Sequence, residues 1–372
     1  MKPEHVYIHF PFCISKCPYC DFFSMIYDGQ HQEKKYISHL SKESDLFKDI
    51  LTNLKSLYIG GGTPSLMRGN SLKAVLEKFT FDPDAELTIE ANPGTVDLTK
   101  LKYLKDSGVN RLSIGAQSFI DSELVTLKRR HSARDIYDAF YNARRAGFQN
   151  INIDLMIGVP GQSSDSVIYS LKKIFMLMPE HISVYILTYY KNSAFGRMLK
   201  KDQIRKMDDD MEIDLFEMIC NMLEEKGYER YEISNFSRPG MYSVHNLNTW
   251  DYGQYIGLGA SAHSFVGGIR RANPKSLEKY YRYVEKAFPH IEGKNIIYSR
   301  LHKQEFLMVG LRKTSGISMK RYKNIFNSDI MDDFRTGIET FLENGFLVRS
   351  DDILRIRKDK LNIINSILAE II

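Results

Sequence analysis

From residue 5 to about residue 235 the chain alternates short β-rich runs with amphipathic helical stretches, which restricts it to an α/β fold with a parallel sheet of βα units. The runs that read as strands are Val6 to Phe10, Ser56 to Ile59, Glu86 to Ala91, Arg111 to Ile114, Ile151 to Ile157 and His181 to Leu187. The segment His131 to Ala146 shows how the intervening helices are written. Ser132 and Asp135 suit a capping box, Ile136, Ala139, Phe140 and Ala143 form an apolar stripe, and Gly147 is placed to end the helix in the left-handed region. Six such units predict an open, partial (β/α)6 barrel. Several strands run out into glycine-rich or polar segments: Pro11 onward, then GGGTP, EANPG, GAQSF and DLMIGVPGQ. Ligand sites of parallel α/β sheets collect at the carboxyl ends of the strands, so these segments are expected to converge.

Past residue 240 the pattern changes to glycine- and aromatic-rich sequence from Tyr252 to Gly268. Helical stretches near 275–287 and 300–312 follow, and then a helix, a short turn and a hairpin from Gly345 to Lys358. This divides the chain into a core over 1–240 and a smaller, mostly helical C-terminal domain over 241–372 that is compatible with a winged-helix-like module. No repeat or low-complexity linker separates the two, so they are expected to pack closely.

The composition, 43% hydrophobic and 26% charged, is that of a globular protein and not of a disordered one. The excess of five positive charges is diffuse, which gives no support to nucleic-acid binding. No apolar run reaches the ~18 residues of a membrane span and MKPEHVYIHF has no signal-peptide core, so a cytoplasmic protein is expected, with membrane association only through a partner. Both a monomer and a homodimer fit.

Cys13, Cys17 and Cys20 lie in one loop directly after the first strand, with Pro11 and Pro18 shaping it. Neighbours this close are a poor disulfide framework and are better placed to share a metal centre. Three thiolates can hold an iron-sulfur cluster and leave one iron without a protein ligand. The competing reading is a Cys3His zinc site completed by His5 or His9, although structural zinc sites usually draw on two ligand pairs from separate loops. Cys220 stands apart, on a helical face with Phe216, Ile219 and Leu223, and reads as a buried structural thiol.

The C-x3-C-x2-C loop after the first strand, with IGGGTP after the second, resembles the radical S-adenosylmethionine (SAM) superfamily. The fuller motif set, over nearly the first 265 residues, resembles its branch of HemW heme chaperones and oxygen-independent coproporphyrinogen III dehydrogenases, and is closer to the chaperones. The resemblance implies one 4Fe-4S cluster on Cys13, Cys17 and Cys20, whose open iron is chelated by SAM, and an electron donor that reduces it. Reduction then cleaves the sulfonium to a 5'-deoxyadenosyl radical. It also implies that Tyr7, Gly61, Gly62, Thr63, Glu90, Gln117, Arg129 and Asp154 bind SAM. Thr188 and His263 match further pocket positions of the dehydrogenase. Each type has a physical sense: glycine lets backbone approach a ligand closely, the acids accept hydrogen bonds, and arginine offers a fork for a carboxylate. Taken singly, each is as readily a turn, a surface charge or a core residue.

Two features separate the branches. The dehydrogenase motif carries a further cysteine two residues after the third, where this chain has Phe22, and its longer N-terminal extension has no room in the twelve residues before Cys13. The chaperone branch has a His-Asn-x-x-Tyr-Trp segment tied to heme. This chain reads His245-Asn246-Leu247-Asn248-Thr249-Trp250, with Thr249 in place of the tyrosine and Ser243 where chaperones often have cysteine. The expectation is a heme chaperone, with His245 as heme ligand and a heme-acceptor protein as partner. The alternative is a radical SAM enzyme acting on a porphyrinogen or another substrate.

Overall fold

The structure, a computed structural model, describes residues 2–287 and 299–372. Six parallel strands cross one sheet in chain order: β1 (His5–Phe10), β2 (Leu54–Gly61), β3 (Phe81–Ala91), β4 (Arg111–Gln117), β5 (Ile151–Ile157) and β6 (His181–Ile186). This is the partial barrel expected from the sequence, and each strand contains or nearly coincides with its predicted run. A seventh parallel strand, Ile256–Leu258, pairs with the free side of β1, and Asn235–Ser237 runs antiparallel beside β6. The sheet stays open between these two flanks.

Alternation along the strands explains both faces. Ile8, Ile59, Ile89, Ile114, Ile153 and Ile182 are at most 1% exposed, covered by the helices that connect the strands. Burial of each stabilises the fold by roughly 1.5–3 kcal/mol. The intervening residues face the barrel interior and are polar: Tyr7 is in register with Tyr58, Tyr58 with Thr88, Glu90 with Ser113, and Asp154 with Ser183.

The helix read over His131 to Ala146 spans Ala133–Arg145, with the Ser132–Asp135 capping box formed and Gly147 at φ 92°. Cys220 is buried on the helix Asp209–Glu225 beside Ile219 and Leu223.

The C-terminal part has the helices Arg300–Gly310, Met319–Phe326 and Ile330–Glu343, then a hairpin of Leu347–Ser350 and Ile353–Ile356 joined by Ile317–Ser318. Phe306, Tyr322, Phe326, Ile338 and Leu354 form its own core. The segment past residue 240 is more regular than its composition implies. It forms the helix Val244–Trp250, the strand Ile256–Leu258 and the hairpin His263–Val266/Ile269–Ala272, all too short for a hydrophobic period to show. It also ties the two cores together. Ile256, Leu258 and Tyr280 pack in the barrel core, whereas Tyr252 and Phe265 pack in the C-terminal one. No helix among the described residues is long and apolar enough to cross a membrane.

Candidate active site at the carboxyl ends of the strands

A cavity of about 790 Å³ lies at the carboxyl ends of β1 to β6. Cys13, Cys17 and Cys20 line it as free, half-buried thiols. Gly61, Gly62, Thr63, Glu90, Gln117, Arg129 and Asp154 line it too, so the structure brings most of the sequence-assigned residues to one place. Tyr7 lies behind the wall, its hydroxyl 3.1 Å from His9 Nδ1 and its ring stacked on Tyr58. Thr188 is on the cavity, whereas His263 stands exposed on its hairpin outside the lining.

The cysteine loop is pinned at its base. Phe12–Cys13 pairs in parallel with Met25–Ile26, Met25 N–H donates to Pro11 O at 2.7 Å and Tyr27 N–H to Cys13 O at 2.8 Å. Phe195 N–H donates to Pro18 O at 2.9 Å and holds the far side of the loop.

Gly61 adopts φ 115°, a conformation that excludes most other residues, and a Cβ there would come within 2.7 Å of the His9 ring. Its N–H instead donates to Glu90 Oε2 at 3.1 Å, while the Tyr58 hydroxyl donates to Glu90 Oε1 at 3.0 Å. Burial, aided by the nearby Asp154, pushes the Glu90 carboxyl up to about 7. Burial raises Asp154 as well, although Asn152 Nδ2 donates to it at 2.7 Å. Gln117 sits at φ 71°, where β4 and β5 shift register, and its carbonyl accepts from the Tyr185 hydroxyl at 2.5 Å. Left-handed backbone at a non-glycine residue costs of order 1–3 kcal/mol and is typical of a ligand site.

Arg129 faces these acids from the thiol side. It donates through Nη2 to Gly115 O at 2.8 Å, and its Nη1 lies 3.5 Å from the Tyr19 hydroxyl and 3.9 Å from Cys17 Sγ. Its buried Nε has no partner. Burial alone would lower its pKa, yet Tyr19 and Cys17 beside it hold it raised. Two carboxyls on one side and a guanidinium on the other suit a ligand that carries both signs of charge.

The three thiols suit a bound metal centre. Burial raises Cys13 and pushes Cys20 up to about 11, so they need a strong local positive charge to ionise, which bound metal supplies. The histidines of the zinc alternative are also committed elsewhere: His9 Nε2 is 2.8 Å from Phe23 O, and His5 Nδ1 is 2.8 Å from Ser56 Oγ.

His245 is not at the cavity. It sits at the opposite, amino end of the barrel, 7% exposed, with Nδ1 2.9 Å from Ser56 Oγ and its ring 5.3 Å from that of Tyr58. Burial, with His5 and Arg111 nearby, lowers its pKa to about 3 and keeps it neutral. Glu86 fixes the start of its helix, accepting from Ser243 Oγ at 3.1 Å, Val244 N–H at 2.9 Å and His245 N–H at 3.2 Å. Asn246, next in the chain, reaches the cavity lining.

Sequence reasoning missed Tyr19, Arg111, Asn152, Ser183 and Tyr185, all on the cavity wall. A signal for four of them was present. Polar residues recur at every second position of β4, β5 and β6, as in Arg111 and Ser113, Asn152 and Asp154, and Ser183 and Tyr185, inside strands that are otherwise aliphatic.

Comparison with known proteins agrees with this geometry. The Radical SAM superfamily model matches residues 7–174, and the HemN C-terminal domain model matches residues 302–358. The heme chaperone HemW of Bacillus subtilis is 35% identical over 356 residues, covering 94% of this chain and 93% of that one. The chain belongs to the heme chaperone HemW family of radical SAM proteins. The Escherichia coli HemW is 39% identical over 274 residues, covering 72% of this chain and 71% of its own. Among solved structures, coproporphyrinogen III oxidase (HemN) from Escherichia coli, a radical SAM enzyme, superposes with a TM-score of 0.83 at 23% identity, covering 100% of this chain and 90% of that one. HemN thus shares the fold of the HemW-family chain described here. Membership of the radical SAM superfamily implies a 4Fe-4S cluster and SAM, and the cavity has the thiols and the paired charges to take them.

Proposed function

We propose that this chain is a radical-SAM-type heme chaperone that binds heme and passes it to an acceptor protein. The observation that carries the reading is the conjunction of three free thiols with Gly61, Glu90, Arg129 and Asp154 on one cavity, in a chain similar over nearly its whole length to the HemW heme chaperones. Cys13, Cys17 and Cys20 would hold the cluster. When bound, the reduced cluster supplies an electron to SAM. Gly61 and Gly62 leave room for the methionyl end of SAM, Arg129 receives its carboxylate, and Glu90 and Asp154 accept from its amino and ribose donors. Gln117, fixed by Tyr185, closes that wall, Thr63 adds a hydroxyl, and Tyr7 supports Tyr58, which in turn orients Glu90.

A second reading, a radical SAM enzyme that oxidatively decarboxylates porphyrinogen propionates, is favoured by the fold shared with HemN. Phe22 at the fourth position of the cysteine loop favours the chaperone. Heme titration of the anaerobically reconstituted protein, run beside a decarboxylation assay with coproporphyrinogen, reductant and SAM, separates the two. Heme binding without decarboxylated product is the expected result; steady product formation overturns the chaperone reading.

A further inference from the structure

Toward the amino end of the barrel, Asp154 is backed by buried polar side chains that the proposed function leaves without a role. Asn152 precedes it by two residues on β5 and so shares its face, and His181 on β6 is in register with Asn152. Asn152 Nδ2 donates to Asp154 Oδ1 at 2.7 Å and to Ser113 Oγ at 2.8 Å. Asn152 Oδ1 lies 2.6 Å from His181 Nδ1, and His181 Nε2 lies 2.8 Å from the Tyr231 hydroxyl. Asn152, His181 and Tyr231 are all buried, so bulk water does not compete for these links.

The chemistry of the groups fixes the direction of every link. An ionised carboxylate only accepts, so the amide turns its nitrogen to Asp154 and its oxygen to His181. Burial, with Arg111 nearby, holds the imidazole neutral. A neutral ring has one N–H, which must be on Nδ1 to meet the amide oxygen, and this leaves Nε2 to accept from the Tyr231 hydroxyl. That hydroxyl in turn accepts from Ser243 N–H at 3.4 Å, while the Tyr231 carbonyl accepts from Thr314 N–H at 3.1 Å, just past the helix Arg300–Gly310. Links that all donate in one direction polarise one another, and a low-dielectric interior strengthens them. We propose that Asn152, His181 and Tyr231 are positioning residues that act through Asp154, holding its carboxylate turned as an acceptor toward SAM. The inference rests on the assignment of Asp154 to SAM made above. His181 and Tyr231 lie outside the cavity lining, so their effect on a ligand passes through Asn152 and Asp154, which are both on it.

The test is a calorimetric titration of SAM into anaerobically reconstituted holoprotein, with iron and sulfide content matched between variants. Asp154→Asn is expected to weaken SAM binding about thirtyfold by removing a charged acceptor. Asn152→Asp, which keeps the shape but replaces the donor by an acceptor, is expected to weaken it about tenfold. Tyr231→Phe, which removes only a hydroxyl off the cavity, is expected to weaken it about fivefold, since His181 can then change tautomer. In the Asp154→Asn background, adding either substitution is expected to cost less than about twofold, because residues that act through one group are not additive. If Asn152→Asp does not retain the cluster, Tyr231→Phe in both backgrounds carries the test alone. If Asp154→Asn binds SAM within twofold of the unaltered protein, the assignment of Asp154 falls and the inference falls with it. If Asp154→Asn binds weakly but Tyr231→Phe binds within twofold of the unaltered protein, the inference falls and the assignment stands. Losses that add in the double variants also overturn the inference, because they mark a general loosening of the barrel.

Discussion

Glu86 and Glu90 lie four residues apart on β3, point into the same barrel, and do opposite things. Glu86, at the amino end, accepts from three donors at the start of the helix Val244–Trp250, and its Oε2 lies 3.9 Å from Nε of the buried Arg111. Glu90, at the carboxyl end, has one amide and one hydroxyl for company, a second carboxyl nearby, and a pKa pushed up by burial. The first carboxylate is fully used by the fold. The second is buried beside another carboxyl with only two hydrogen-bond donors of its own, which suits a group that meets a ligand. The two ends of the barrel also differ in another way: helix amides are paired at the closed end, while free thiols stand at the open one.

The largest expected effect is at the open end. Cys17→Ala is expected to lose essentially all iron and acid-labile sulfide after anaerobic reconstitution, because two thiolates cannot retain the cluster. Unchanged metal content in that variant would remove the basis of the contrast. At the closed end, Glu86→Ala is expected to cost about 3 kcal/mol, since it leaves three donors at the start of the helix Val244–Trp250 without their acceptor. That is a fall of roughly 10 °C in Tm for the part of the fold concerned. A fall no larger than that of a surface substitution would mean that Glu86 does not hold the helix Val244–Trp250 in place.

Much of the fold was legible because its signals are local. Period-two aliphatic runs, the Ser132–Asp135 capping box and the Gly147 stop are each written in a few neighbouring residues. The cavity wall was legible only where a motif marked it. Glu90, Arg129 and Asp154 came from the resemblance, while Tyr185 and Arg111 were passed over because one polar residue in a strand looks like a solvent-facing one until the sheet curls round it. His245 shows a different limit. Its segment matches a heme motif in order, but burial depends on Ser56 and Glu86, which lie far away in sequence and which no local pattern joins to it.

Glu90 allows a sharper test of the open end. A carboxyl that titrates near 7 when folded and near 4.5 when unfolded keeps its proton in the folded state across that interval, so it favours folding below pH 4.5 and loses that contribution as pH rises through 7. Glu90→Gln is therefore expected to raise stability at pH 8 by up to about 3 kcal/mol and to change little at pH 4.5, in urea unfolding of reconstituted protein without SAM. The same variant should bind SAM more weakly, because the carboxylate that it removes is the one proposed to meet the amino group. A variant that is destabilised at pH 8 would place Glu90 with Glu86 as a structural acid and erase the distinction between the two ends.

The smallest expected effect is the most discriminating for heme. His245→Ala removes a buried ring that packs on Tyr58 and makes one hydrogen bond to Ser56, so a loss of about 2 kcal/mol in stability is expected. Hemin affinity should stay within twofold of the unaltered protein, because a neutral imidazole enclosed by His5, Tyr7 and Tyr58 cannot reach an iron unless the helix Val244–Trp250 leaves its place. Glu86 holds the start of that helix, so a large loss of hemin binding in His245→Ala would show that the closed end opens. In that case Glu86→Ala, by releasing the helix, should bind hemin more tightly than the unaltered protein; weaker binding by both variants would instead trace the His245 effect to damage of the barrel.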